Sequence, residues 1–543
     1  MNRTTLSLIA ATTALAALTG VASMTSDADS KTDTGADGAH TATASRLPVE
    51  RSSLVCPAPT SSELGETTYT AYTPKGKTPG TANKGAAELL PAHTAAGTGD
   101  GNGSNGSKDG SKGDKGSNGD SKDGDASGTE NGKASDSPGR QDVLTGDPVL
   151  PLKAPGAPVT VTTSRSDAPA LIGISDGALA PGWTVQQTTT VSAGDGRGLL
   201  GTSCVAPGTD FWFPGASTAG DRQDYVHLTN PDSSQAVVDL ELYGEDGRID
   251  APSGESINIP PHSTKPVLLS TLVNKPTINL TLHAAVRSGR IGASVQVADT
   301  NIGSDWLPAA SGAATSAVLP GIPKDATSVR LIAYATGSDD AEMKIRLSGP
   351  TGAITPAGHE TLNVKSRMTS AVDLGDITKG EPGSLVLTPQ GKNTGPFVAA
   401  LRVTRGKGDR QETAFIPATA AIEDRGTAAD NRSKGSTLSL TAPEAAATVR
   451  VTSSAGSEDG APASRQITVK AGTTVAVDPP RPSAAKGPYA VTVERLDGGP
   501  VHASRMLELP SEGVPMFTIQ GLPDDRGLVT VPRARQDLSL LND

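Results

Sequence analysis

Val237–Gly247 reads VVDLELYGEDG, and the same kind of segment recurs as EMKIRLSGPTG at Glu342–Gly352 and TVRVTSSAG at Thr448–Gly456. Each alternates apolar and polar residues and runs into a glycine turn, the pattern of a half-buried strand. The residues downstream of each turn recur too. INIPPHSTKPVLL (Ile257–Leu269), LNVKSRMTSAVDL (Leu362–Leu374) and ITVKAGTTVAVDP (Ile467–Pro479) are strand pairs joined by a Lys, Pro or Gly turn. GRIGASVQV (Gly289–Val297), GPFVAALRV (Gly395–Val403) and GPVHASRML (Gly499–Leu507) are closing strands opened by glycine. Matching landmarks fall about 105 residues apart, the size of one immunoglobulin-like sandwich and far longer than a solenoid repeat. The expected fold is therefore all-β: tandem immunoglobulin-like antiparallel β-sandwich domains.

Working outward, the composition agrees. Glycine (62) and proline (41) are abundant in the 543 residues, which favours strands and turns over long helices. Upstream strands are expected at Leu54–Pro57, Thr67–Thr73, Val159–Thr163 and Trp183–Val191. The segment Cys204–Thr218 (CVAPGTDFWFPGAST) holds one of the two cysteines and Phe211–Trp212–Phe213, in a chain only 3% aromatic. It is expected at the buried centre of the first folded domain. The resulting division is residues 51–310 as the first sandwich, 311–415 as the second, and 416–543 as the third, ending in a hairpin of Met516–Gln520 with Leu528–Pro532.

The N-terminus reads as an export signal over residues 1–23: Arg3, the uncharged apolar run Leu6–Val21, then the small residues Ala22 and Ser23. The alternative is an uncleaved anchor, the one route to a membrane. Residues 24–50 are polar and expected to be disordered. A disordered insertion is expected over 76–145, where Gly97–Gly139 is Gly, Ser, Asp, Asn and Lys with almost no apolar side chain. It lacks the aliphatic residues of a calcium-binding solenoid, and Asp120–Asp125 departs from an EF-hand loop. In an exported protein, Cys56 and Cys204 read as a structural disulfide; the alternative is two buried thiols.

Several chemistries find no support. A formal net charge of −11 argues against a nucleic-acid partner. Gly196–Gly201 (GRGLLG) matches a dinucleotide fingerprint, but Thr202–Pro207 will not extend the helix that such a site needs. The seven histidines are scattered, with no HExxH or Cys/His cluster. There is no GxSxG elbow. No cofactor or metal is expected.

The remaining candidates lie near Trp212. Asp210, Asp221 and Asp224 stand close in sequence to Trp212, Tyr225 and His227, the residue types of a sugar site. In an extended strand Phe211 and Phe213 share one face and Trp212 takes the other. Core packing explains the aromatics as well as ligand binding does. Phe211, Trp212, Phe213, Asp210 and Tyr225 are thus candidates for either role.

Leu54–Val55–Cys56–Pro57, the pattern C-x-x-P-x(4)-W-F-x-G from Cys204 to Gly215, and Leu228–Thr229–Asn230–Pro231 resemble a family of large secreted actinobacterial proteins with no assigned function. The resemblance implies an extracellular place at the actinobacterial envelope and carries over no catalytic residue. The function expected is a secreted, non-enzymatic, multi-domain protein that scaffolds, spaces or binds at the cell envelope. Its partner would be an envelope glycan or another extracellular protein. The alternatives are a carbohydrate-binding module set with Trp212 as platform and, further off, a divergent glycosidase or esterase.

Overall fold

A computed structural model describes residues 45–76, 85–95 and 147–532. The expected signal (1–23) and Gly97–Gly139 lie outside these residues. Among the described residues there is no α-helix, only strands and four short 3-10 turns. The large antiparallel sheets pack in pairs, and one strand order is used four times.

The second sandwich shows that order. One sheet runs Asp210–Ala216, Leu280–Ser288, Ala236–Gly244, and the short strands Gly247–Ile249 and Ile257–Ile259 both pair with Ala236–Gly244. The facing sheet runs Gly303–Leu307, Gly292–Asp299, Arg222–Asn230, Ser263–Leu268. Phe213, Leu240 and Leu282 from the first meet Val226, Leu228 and Val295 from the second in one core. The third sandwich (Ala317–Ile322 to Glu412–Pro417) and the fourth (Arg425–Asn431 to Phe517–Leu522) repeat the order.

So does the region before Cys204. Arg51–Cys56, Leu171–Asp176, Ala87–Pro91 and Leu150–Leu152 form one sheet, and Gly198–Ser203, Thr184–Val191, Gly65–Tyr72 and Val159–Thr163 the other. They enclose their own core of Leu54, Tyr69, Leu89, Leu171 and Val185. Residues 51–310, expected as one sandwich, therefore hold two. The first copy does not show as a repeat in the sequence because residues 96–146 fall between its strands, and because its strands are Thr- and Gln-rich, as in Thr184–Val191 (TVQQTTTV). Such polar strands are held partly by hydroxyls, as between Thr67 and Thr189 (2.8 Å).

Three boundaries also change. The expected insertion 76–145 contains the strands Ala87–Pro91 and His93–Thr94, because Leu89 and Leu90 supply buried apolar side chains. The stretch 24–50, expected to be disordered, ends in the strand Ser45–Pro48. No terminal hairpin forms: Phe517–Leu522 pairs with His502–Glu508, and Leu528–Val531 pairs with Ser45–Pro48.

Cys56 and Cys204 are bonded, with Cα atoms 4.4 Å apart. The bridge ties the first strand of the first sandwich to the residue after its last. Cys204–Thr218 is thus a junction: Cys204 closes one sandwich and Asp210–Ala216 opens the next.

The last strand of every sandwich lies at a sheet edge, and the four edges meet. Gly198–Ser203 neighbours Gly303–Leu307, which neighbours Glu412–Pro417, then Phe517–Leu522, which returns to Gly198–Ser203. The four edges cover one another, so none of them is left open for pairing with another chain. Gly201 N donates to Asp305 Oδ1 (2.9 Å), and Thr518 Oγ1 donates to the same oxygen (3.0 Å). Asp430 of the fourth sandwich accepts from Thr188 of the first (2.8 Å), and its amide donates to Gln186 Oε1 (2.9 Å).

Candidate functional site

Strand register assembles a polar, aromatic cluster on the outer face of the second sandwich. Trp212 lies opposite His283 on the neighbouring strand, and His283 lies opposite Glu241 on the next. Asp210 and Tyr243 are each two residues further along, so they project from the same face. Inward-pointing Phe211 and Phe213 are buried in the core and anchor the strand from behind.

The contacts are specific. The Trp212 and His283 rings stack with centroids 3.7 Å apart and planes 3° apart. His283 Nε2 is 2.6 Å from Asp210 Oδ1, and Nδ1 is 2.9 Å from Glu241 Oε2. Trp212 Nε1 donates to Asp210 Oδ2 (3.2 Å), and the Tyr243 hydroxyl donates to Glu241 Oε2 (2.8 Å). The third sandwich adds Tyr334, whose ring centroid is 5.3 Å from Trp212 and 4.6 Å from Tyr243. Thr369 of the third sandwich donates to the Tyr243 carbonyl (2.7 Å). The cluster therefore sits where the second and third sandwiches meet.

Exposure divides the cluster into support and surface. Tyr334 is buried and the His283 side chain is 13% exposed, while Asp210 is 60% exposed. Trp212 and Tyr243 are half-buried. Burial works to raise the Glu241 pKa, but the hydrogen bonds from His283 and Tyr243 and the nearby charges of His283 and Arg248 outweigh it and hold the carboxylate ionised below its usual range. Burial, then the hydrogen bond to Glu241, pushes the Tyr243 hydroxyl up, so it stays a donor.

The other candidates go elsewhere. Tyr225 is on the opposite sheet of the same sandwich, paired with Leu268 and Gln296. Asp221 is exposed in a turn. Asp224 is buried, ion-paired to Arg222 (2.7 Å) and bonded by the Ser217 amide (2.8 Å). Burial nonetheless pushes the Asp224 pKa up to about 6. His227 is buried against Trp306, with ring centroids 5.3 Å apart.

Sequence reasoning found Asp210 and Trp212 and missed His283, Glu241, Tyr243 and Tyr334. Glu241 and Tyr243 carried a signal, since alternation in VVDLELYG places them on the outward face. His283 and Tyr334 reach the cluster only through strand pairing and sandwich packing.

Both His283 nitrogens are engaged by carboxylates, and the imidazole fills the space between Asp210 and Glu241. A retaining or inverting glycosidase needs that space for sugar or water. Among the described residues no three His, Cys, Asp or Glu side chains group to hold a metal.

A model of the family of unknown function DUF5719 matches residues 159–480, from the first sandwich into the fourth. Neither the curated proteins nor the solved structures hold a match to the chain.

Proposed function

The chain belongs to that family of unknown function, and on that footing we propose that it is an exported, non-enzymatic scaffold of the actinobacterial cell envelope that binds glycan at Asp210, Trp212 and Tyr243. The observation that carries this reading is the fixed Trp212–His283–Glu241 row, with the exposed Asp210 carboxylate at its rim. Aromatic rings offer an apolar face to a sugar ring, and a carboxylate accepts hydrogen bonds from its hydroxyls. Because His283 and Tyr334 already hold these groups in place, little side-chain freedom is lost on binding. Export is supported by the disulfide, which suits an oxidising compartment. The non-enzymatic part of the reading is supported by His283: with both nitrogens bonded to carboxylates, neither is free at this cluster to take a proton from a nucleophile.

Titration with soluble peptidoglycan fragments and envelope polysaccharide tests the reading through tryptophan fluorescence. Trp183 and Trp306 are buried, so a response reports chiefly on Trp212. A saturable change that disappears in Trp212→Ala and weakens in Asp210→Asn is expected, with the glycan recovered intact. No response across both glycan classes removes the glycan-binding claim. Cleavage that is lost in Asp210→Asn would replace it with a hydrolase.

A further inference from the structure

We propose that Glu412 and Asp305 form a proton-dependent latch at the junction of the four sandwiches, holding it closed while they carry their protons and loosening it when they ionise. Glu412 opens the last strand of the third sandwich and is fully buried. Neither of its carboxylate oxygens closes a hydrogen bond of good geometry, although the Thr413 and Ser304 amides lie near, and among the described residues no cationic nitrogen forms an ion pair with it. It packs against bare backbone: a Cβ on Gly303 would come 2.7 Å from its Oε1, and one on Gly198 3.0 Å. Asp305, on the last strand of the second sandwich, is 1% exposed. Its Oδ1 accepts from Gly201 N, Trp306 N and Thr518 Oγ1, while Oδ2 has no partner.

The surrounding cations make their hydrogen bonds to other groups, although Arg197 Nη1 is buried without a partner and its charge acts on Glu412. Arg197 reaches Glu412 from the loop before Gly198–Ser203, but its Nη2 donates to the carbonyls of Ile302 (3.0 Å) and Gln411 (2.8 Å). Arg405 lies across the ladder from Glu412 and is taken by Asp325 (2.7 Å) and Glu508 (2.5 Å). Arg505, fully buried behind Asp305, donates to Gln186 Oε1 (2.9 Å). Asp430 beyond it is paired with Arg432 (2.9 Å). His227 packs on the neighbouring Trp306, and burial keeps it neutral.

Burial therefore decides the ionisation. It pushes Glu412 up to about 9, with added repulsion from Asp305 and against the opposing pull of Arg197 and of the Thr413 and Ser304 amides. Burial likewise raises Asp305 well above the ordinary carboxylate range, despite its three donors. The sign follows from linkage. Both folded-state values lie above the unfolded ones, so the folded chain keeps protons that the unfolded chain releases. Stability from this source is complete in acid and is lost as pH rises from about 4.5 toward 9, by up to tenfold in the opening equilibrium per pH unit for each retained proton.

The other large feature does not compete as a site. The groove of about 640 Å³ between the third and fourth sandwiches keeps its charged Arg346 and Glu444 exposed. No buried, partnerless polar group belongs to its lining.

The full chain tests the latch by denaturant unfolding between pH 5 and 9, comparing the unaltered protein with Glu412→Gln and Asp305→Asn. Both amides copy the shape and neutrality of a protonated acid. The unaltered protein should lose stability steadily across this range. Glu412→Gln should show a pH slope smaller by about one proton and exceed the unaltered protein at pH 9, and Asp305→Asn should also flatten the slope. Equal slopes, or a Glu412→Gln variant weaker at every pH, overturn the proposal, because the carboxylate would then be needed as an anion. Infrared spectroscopy gives a readout that needs no variant. The folded chain at pH 7 should show the carbonyl band of a protonated carboxyl that is absent after unfolding, and its absence from the folded chain also overturns the proposal.

Discussion

The Trp212 indole lies flat on the His283 imidazole, 3.7 Å between ring centroids, and that imidazole is clamped edge-on by Asp210 and Glu241. The stack fixes the ring without burying it, whereas Trp183 and Trp306 are 5% and 1% exposed. A collisional quencher such as iodide should therefore act mainly on Trp212. In Trp212→Phe the quenchable part of the emission should vanish while the remaining emission stays blue-shifted. Unchanged quenching in that variant would mean that a buried tryptophan is the accessible one.

Within Gly196–Gly201, Gly198 and Gly201 have a packing role that Gly196 does not share. A Cβ on Gly198 would come 2.3 Å from the Ser304 carbonyl oxygen, which is backbone of the neighbouring sandwich and has little freedom to yield. A Cβ on Gly196 meets nothing within 4 Å. Gly198→Ala should cost about 1–3 kcal/mol or more by overpacking. Gly196→Ala should be close to neutral. Denaturant melts of the two variants check this, and equal effects would show that the four-strand junction is looser than described.

Much of the architecture was legible, and the reason is periodicity. Strands such as Ala341–Ser348 alternate buried and exposed residues, so their register with the core is written in the residues themselves. Legibility failed where the side chains of a strand are hydroxyls and amides. Gln186, Thr188 and Thr189 are buried because they serve the first sandwich's interior and its seam with the fourth, and polarity made them look like surface. The candidate site was half legible for a similar reason. Asp210 and Trp212 are neighbours in sequence, but His283 is placed by register alone and Tyr334 comes from another sandwich. Glu412 gave no warning at all: an acid at the start of a strand normally faces water.

The Cys56–Cys204 bridge closes a long loop around the first sandwich. Cys56→Ser should lower stability by about 2–5 kcal/mol, the usual cost of losing a native disulfide, read as a lower denaturant midpoint. The loss should appear first in the first sandwich, seen as faster hydrogen exchange at Val55 and Val205, whose amides and carbonyls bridge the two chain segments at 2.8 and 2.9 Å. Uniform loss of protection across all four sandwiches would show that the seams at Asp305 and Asp430 make the molecule a single cooperative unit.

His227 should set the acid limit of stability. It is 7% exposed, packs its ring against Trp306, and neither nitrogen closes a hydrogen bond of good geometry, the Gln296 side chain being the nearest partner. Burial lowers its pKa to about 4 from the ordinary 6.5. The unfolded chain therefore takes up a proton that the folded chain refuses. Stability is complete above about pH 6.5 and falls as pH drops toward 4, by up to tenfold in the unfolding equilibrium per pH unit. This runs opposite to the effect of Glu412, so the two can be separated by the direction of the pH slope. His227→Phe keeps a flat ring beside Trp306 and removes the titrating group. It should hold its stability at pH 7 and flatten the acid limb, since replacing a buried polar group that closes no good hydrogen bond by an apolar one of similar shape is close to neutral. A variant that loses stability at pH 7 would mean that an imidazole nitrogen makes a hydrogen bond that matters, and that the acid limb belongs to another group.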